Sequence, residues 1–97
     1  MTQHIVMFQF REEVSSEVRE TARQAFKEGI EALPEVIPFI REISVHFNTN
    51  PAEKWDICLV SSFDTLDDVK AYSVHPAHQA VGKALMQYIA NRACVDF

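Results

Sequence analysis

The fold is organised around one short stretch, Tyr72-Ser73-Val74-His75-Pro76-Ala77-His78. Three side chains that can exchange protons fall within these seven residues, and a proline stands between the two histidines. The residue before a proline avoids the helical region, so we expect His75 to be extended. Pro76 suits the first position of a helix, where its missing amide hydrogen is not needed. The stretch therefore predicts a helix start with His78 in the first turn.

On both sides of this stretch, the hydrophobic pattern alternates between strand and helix. Strands are predicted over residues 4–10, 40–47, 55–63 and 92–97, and helices from Ser15 or Ser16 to about Leu33, from Asp64 or Thr65 to about Tyr72, and from Pro76 onward. The order β-α-β-β-α(α)-β is that of the split βαβ, ferredoxin-like arrangement. We therefore predict an α+β fold with a four-stranded antiparallel sheet in the order 4-1-3-2.

Length and composition limit the classes of protein to which the chain can belong. The 97 residues, 47% of them hydrophobic, are enough for one domain over residues 1–97. A net charge of −5 without a cluster of basic residues predicts no nucleic-acid partner. The apolar runs have strand length and no signal-peptide pattern is found, so we expect no membrane partner and a cytoplasmic protein. Cys58 and Cys94 fall two strands apart in the predicted sheet, too far for a disulfide, so both should be free.

A sheet with helices on one side leaves its other face bare. Four residues are predicted there, Ile5, Met7, Cys58 and Val60. An apolar surface of this extent usually marks an interface. We therefore predict a homodimer in which two sheets pack face to face as an eight-stranded α/β barrel.

Three blocks of the chain resemble the stress-responsive dimeric α/β-barrel (Dabb) family. They are the first strand, His-Ile-Val-Met-Phe-Gln-Phe at 4–10, the His-Pro-x-His motif at 75–78, and the closing Arg-Ala-Cys-Val-Asp-Phe at 92–97. The resemblance implies a ferredoxin-like protomer in a homodimeric barrel. Family members differ in function, because many have no assigned activity, plant relatives are stress-associated, and others are polyketide cyclases.

The resemblance to the cyclases implies acid/base chemistry at two positions. The His and Tyr that act in those enzymes correspond to His78 and Tyr72, with His4 nearby on the first strand. This chain departs from the cyclase pattern at Ile57, which replaces a histidine, and at Phe26 or Ile30, where a pocket tyrosine is missing. Some members also hold magnesium by backbone carbonyls, which here would lie near Glu31, Pro34 and Ile37. No other cofactor is expected.

Three functional hypotheses follow. The leading one is a pocket between sheet and helices that binds a small apolar ligand with one carbonyl. The second is a cofactor-independent lyase or cyclase in which His78 is the base and Tyr72 the acid. The third is a structural stress protein without a ligand. The predicted ligand-binding residues are His4, Val6, Phe8, Phe26, Ile30, Leu59, His75, Val81 and Leu85.

Each of these residues also has a structural interpretation. The apolar ones can be plain core, His75 can cap a helix, and a helix N-terminus disfavours a charged imidazole, which predicts a neutral His78. We expect no metal site, since Pro76 interrupts the His75–His78 pair and no Cys, Asp or Glu follows closely. Asp96 is placed to pair with Arg92 on the same strand face, and His46 should be exposed beside a turn.

Overall fold

The chain forms four strands and three α-helices in this structure, a computed structural model that describes residues 1–97. In chain order they are β1 (Thr2–Phe10), α1 (Ser16–Glu31), β2 (Glu42–Phe47), β3 (Ile57–Phe63), α2 (Leu66–Val74), α3 (Pro76–Met86) and β4 (Ile89–Asp96), with a 3₁₀ turn at Leu33–Glu35 after α1. The predicted ferredoxin-like arrangement is confirmed.

All four strands join one antiparallel sheet in the order β2-β3-β1-β4. This is the predicted order, with β1 and β3 in the centre. Cys58 lies opposite Met7, and Cys94 lies opposite Val6. Adjacent residues of β1 point to opposite faces, so the two thiols lie on different sides of the sheet. Both cysteines are free, as predicted.

Side-chain caps set where the helices begin. The Ser15 hydroxyl accepts the Val18 amide at the start of α1, and the Thr65 hydroxyl accepts the Asp68 amide at the start of α2. Such caps satisfy amide hydrogens that have no partner inside the helix. The predicted positions of both helix starts are thus confirmed.

The core fills the space between the helices and one face of the sheet. Along β1 every second residue is buried, including Val6, Phe8 and Phe10. The rings of Phe8 and Phe26 meet edge to face with centroids 5.4 Å apart. Gly29 lets α1 approach α3 closely, because a Cβ there would lie 2.9 Å from Val81 Cγ1.

The opposite face of the sheet, hereafter the open face, carries no helix. Ile5, Met7, Cys58 and Val60 are all partly exposed on it, and Val95 lies opposite Ile5 on β4. No helix of the fold has the length and apolar character needed to cross a membrane.

The last strand begins earlier than predicted, at Ile89 rather than Arg92. Ile89 is buried and pairs with Phe10, where the ladder shifts register. Ala90 and Asn91 are poor strand formers, so their residue types do not predict that β4 begins at Ile89. Pairing with β1 overrides that preference.

Candidate functional site

Two histidines and a tyrosine pack together at one end of the core. The ring centroid of Tyr72 lies 4.3 Å from that of His78 and 6.1 Å from that of His4. The ring of Phe63 packs against another side of Tyr72, with the two ring centroids 5.1 Å apart. These three polar residues, His4, Tyr72 and His78, are called the His-Tyr cluster below.

The break between α2 and α3 positions this cluster. His75 is extended, with φ −64° and ψ 131°, and its Nδ1 accepts the Ala77 amide at 3.1 Å. It therefore caps α3, and Pro76 takes the first helical position, as the sequence predicts. Tyr72 stands in the last turn of α2 and His78 in the first turn of α3, which brings their rings into contact at an angle of 45°.

Tyr72 is the most enclosed member of the cluster. Its exposed fraction is 0%, and its hydroxyl forms no hydrogen bond within the chain. Burial raises the pKa of this hydroxyl well above its usual value, so it keeps its proton. A buried hydroxyl with its proton and no acceptor is a donor ready for a partner.

His78 is held in one protonation form. Burial lowers the pKa of its imidazole, while the Ser73 carbonyl acts in the opposite direction. A carbonyl can only accept, so Nδ1, 3.1 Å from that oxygen, is the nitrogen that donates. Nε2 is then the unprotonated nitrogen of the neutral ring. The predicted neutral His78 agrees with this, but burial rather than the helix N-terminus is the largest cause.

His4 has a carboxylate partner that the sequence analysis missed. Its Nδ1 lies 2.5 Å from Asp96 Oδ1 and 3.6 Å from Cys94 Sγ. The expected pairing of Asp96 with Arg92 is therefore wrong. Asp96 lies directly opposite His4 in the β1–β4 ladder, and that register brings the two side chains together.

A groove of about 570 Å³ lies between α1 and α3. Of the predicted ligand-binding residues, Phe26, Val81 and Leu85 line it. The His-Tyr cluster does not, so the single pocket expected between sheet and helices is divided into an apolar groove and a separate polar cluster. The remaining predicted apolar residues, Val6, Phe8, Ile30 and Leu59, are buried in the packed core.

Part of the groove wall was not predicted from the sequence. Ala22, Ala25 and Gly29 follow one another at helical spacing along α1 and line the groove together with Tyr88. Small residues at this spacing were the available signal, since they leave room between two helices. How far apart the helices lie is a tertiary property that this signal does not give.

Two of the residues that the resemblance assigns to a magnesium site form hydrogen bonds within the chain. The Glu31 carboxylate accepts from Lys27 Nζ at 2.7 Å and from the Val45 amide at 3.0 Å. The Ile37 carbonyl accepts the Ile40 amide. These contacts give no support for magnesium, which stays a prediction of the resemblance.

Comparison with known proteins identifies the family. A sequence model of the stress responsive A/B barrel domain (Dabb) matches residues 2–97. The chain belongs to the Dabb family. No functionally curated protein matches it.

Solved structures of similar proteins agree with the fold. A dimeric protein of unknown function with a ferredoxin-like fold from Bacteroides fragilis is 50% identical, with a TM-score of 0.97 over 99% of this chain and 93% of that chain. A dimeric ferredoxin-like protein of unknown function from Thermobifida fusca is 26% identical, with a TM-score of 0.80 over 99% and 88%. A hydroxynitrile lyase from Passiflora edulis is 14% identical, with a TM-score of 0.74 over 99% and 90%, and shares the fold alone.

Proposed function

We propose that this Dabb protein binds a small, largely apolar molecule through a carbonyl oxygen that accepts the Tyr72 hydroxyl. The observation that carries the proposal is the buried Tyr72 hydroxyl without an acceptor. Leaving such a group unpaired costs about 1–3 kcal/mol, which a ligand carbonyl would recover. The neutral ring of His78 beside it can add a second polar contact without a charge.

The apolar part of the ligand has a nearby surface. Val81 and Leu85 line the α1–α3 groove and follow His78 at three and seven residues on α3, so all three share one helix face. Val81 rises about 4.5 Å above His78 along the helix axis. A ligand of one ring and a short chain is long enough to span the distance from His78 to Val81 at the groove.

The test compares two probes that differ by one carbonyl. Acetophenone and ethylbenzene are titrated into wild type and Tyr72→Phe. We expect wild type to prefer acetophenone by about 5–10-fold, the value of one net hydrogen bond, and the variant to lose this preference. An equal preference in both proteins excludes the Tyr72 contact. No binding of either probe to wild type would favour the structural stress protein without a ligand.

A second function is supported by the protonation forms of the cluster. Tyr72 carries a proton that it can donate, and Nε2 of the neutral His78 can accept one. We propose as the alternative that His78 removes a proton from a carbon next to the ligand carbonyl while Tyr72 stabilises the enolate, as in a cofactor-independent lyase or cyclase. Ile57 and Phe26 are buried apolar residues, so further polar groups of the cyclase pattern are missing.

Proton exchange separates binding from catalysis. Deuterium uptake at the α-carbon of a β-keto ester is followed by NMR with wild type, His78→Ala and Gln79→Ala, the last an exposed neighbour on α3. Catalysis predicts a rate that falls by about 100-fold or more in His78→Ala and stays unchanged in Gln79→Ala. Uptake no faster than in buffer leaves the binding role alone.

We also infer that two copies pair through the open face. The dimeric relatives support the homodimer. Ile5 and Val60 lie opposite each other at the centre of that face, with Met7 and Cys58 as the next pair. Packing two such sheets together would give the eight-stranded barrel and remove this apolar surface from water.

A further inference from the structure

Three possible metal ligands converge at the end of the β1–β4 ladder. They are His4 Nδ1, Cys94 Sγ and a carboxylate oxygen of Asp96, all within 4.8 Å of one another. His4 is buried, whereas Cys94 and Asp96 are exposed. The set is therefore anchored in the core and open to solvent.

The arrangement does not suit a catalytic triad. In a triad the acid bonds one imidazole nitrogen and the nucleophile the other. Here Asp96 and Cys94 approach the same nitrogen, Nδ1, at 2.5 and 3.6 Å. Three donor atoms within 4.8 Å of one another are close enough to bind the same cation.

Sheet geometry fixes this convergence. His4 lies directly opposite Asp96, and Cys94 lies opposite Val6, the next residue on the same face of β1. Main-chain bonds between Gln3 and Phe97, at 2.7 and 3.0 Å, continue the ladder beyond Asp96. The two strands therefore hold all three side chains on one face.

One of the three ligand separations already matches that of a tetrahedral zinc site. Zinc bonds of about 2.0–2.3 Å place neighbouring ligand atoms about 3.3–3.6 Å apart. The separation of His4 Nδ1 from Cys94 Sγ, 3.6 Å, already agrees. The His4–Asp96 contact must lengthen by about 0.8 Å to admit the ion. The side chain of Asp96 is 32% exposed, so its carboxylate has room to turn.

We propose that His4, Cys94 and Asp96 bind one Zn²⁺ ion, with a fourth position left for water or another ligand. A neutral imidazole, a thiolate and a carboxylate together carry the two negative charges that balance the ion. Imidazole and thiolate favour zinc over magnesium or calcium, which prefer oxygen ligands. No zinc site was predicted from the sequence because only His75 and His78 were considered as zinc ligands, and their Nδ1 atoms contact the backbone.

The test titrates Zn²⁺ into untagged protein freed of metal with a chelator. Wild type should bind one ion per chain, and Cys94→Ser and Asp96→Asn should each weaken binding by about 100-fold or more, since even outer-shell changes cost about 10–100-fold. Cys58→Ser is the matched control, because Cys58 lies on the other face of the sheet. It should bind as tightly as wild type.

Two further measurements report on the Cys94 ligand directly and do not require a value for the zinc affinity. Co²⁺ added in place of Zn²⁺ should give a thiolate-to-cobalt charge-transfer band that Cys94→Ser lacks. Zn²⁺ should also slow the alkylation of Cys94 by iodoacetamide without slowing that of Cys58. Equal zinc affinity in wild type and Cys94→Ser, or no binding by wild type at micromolar zinc, would overturn the proposal.

Discussion

Tyr72 places a hydroxyl in the core where no acceptor meets it, so its side chain can be tested for stability and for binding separately. Because a phenylalanine of the same shape removes an unpaired polar group, Tyr72→Phe should leave the free energy of unfolding unchanged or raise it by about 1 kcal/mol. Chemical denaturation followed by circular dichroism measures this.

The other tyrosine of the chain is the control. Tyr88 is only partly buried. Unlike the Tyr72 hydroxyl, its hydroxyl is not a buried group that lacks a hydrogen-bond partner. Tyr88→Phe should therefore bring no gain in stability. A loss of more than about 1 kcal/mol in Tyr72→Phe would show that the hydroxyl is bonded in solution.

His78 should titrate below its ordinary pKa of about 6.5. Burial, the largest cause, opposes its charged form. With the folded pKa lowered, the contribution of His78 to stability is complete above about pH 6.5 and declines as the pH falls from there toward the folded pKa. NMR titration of the ring protons, assigned with His78→Ala, should give a midpoint below 6.5, and a midpoint above 6.5 would contradict the buried neutral ring.

At the scale of elements, α1 holds the edge strand β2 through two side chains. The Val45 amide donates to Glu31, and the Val45 carbonyl accepts from Lys27 Nζ at 2.9 Å. Lys27 and Glu31 also pair with each other. This contact occupies main-chain groups that an edge strand otherwise leaves free.

Glu31→Ala should therefore speed hydrogen exchange at the Val45 amide. Bonds from Lys27 and then Val45 lower the pKa of Glu31, so in wild type the protection should persist as the pH falls through 4.5 and disappear only below it. Glu28→Ala is the control, since the Glu28 carboxylate accepts a hydrogen bond only from the Gln24 side chain of the same helix. Equal exchange at Val45 in both variants would rule out the contact.

The sequence predicted the elements well because local signals mark them. Pro76 and the capping side chains set helix starts, and alternation along β1 set its buried face. The His4–Asp96–Cys94 contact was missed because it depends on the register of two strands far apart in sequence. The α1–α3 groove was missed because side-chain types do not give the distance between two helices.

At the scale of the whole molecule, the open face should control assembly. Val60 lies near the centre of that face, opposite Ile5. Val60→Lys would bury a charge in a sheet-to-sheet dimer, so it should give a monomer by light scattering at micromolar concentration. Val36→Lys, at an exposed site after α1, should form the same dimer that we expect of wild type. A monomeric wild type, or a dimeric Val60→Lys, would refute this interface.

The most direct test of the proposed function is a crystal structure of the protein soaked with acetophenone. We expect the ligand oxygen about 2.7 Å from the Tyr72 hydroxyl and the ligand ring directed toward Val81 and the α1–α3 groove. Acetophenone bound elsewhere, with the Tyr72 hydroxyl still lacking a ligand acceptor, would contradict it.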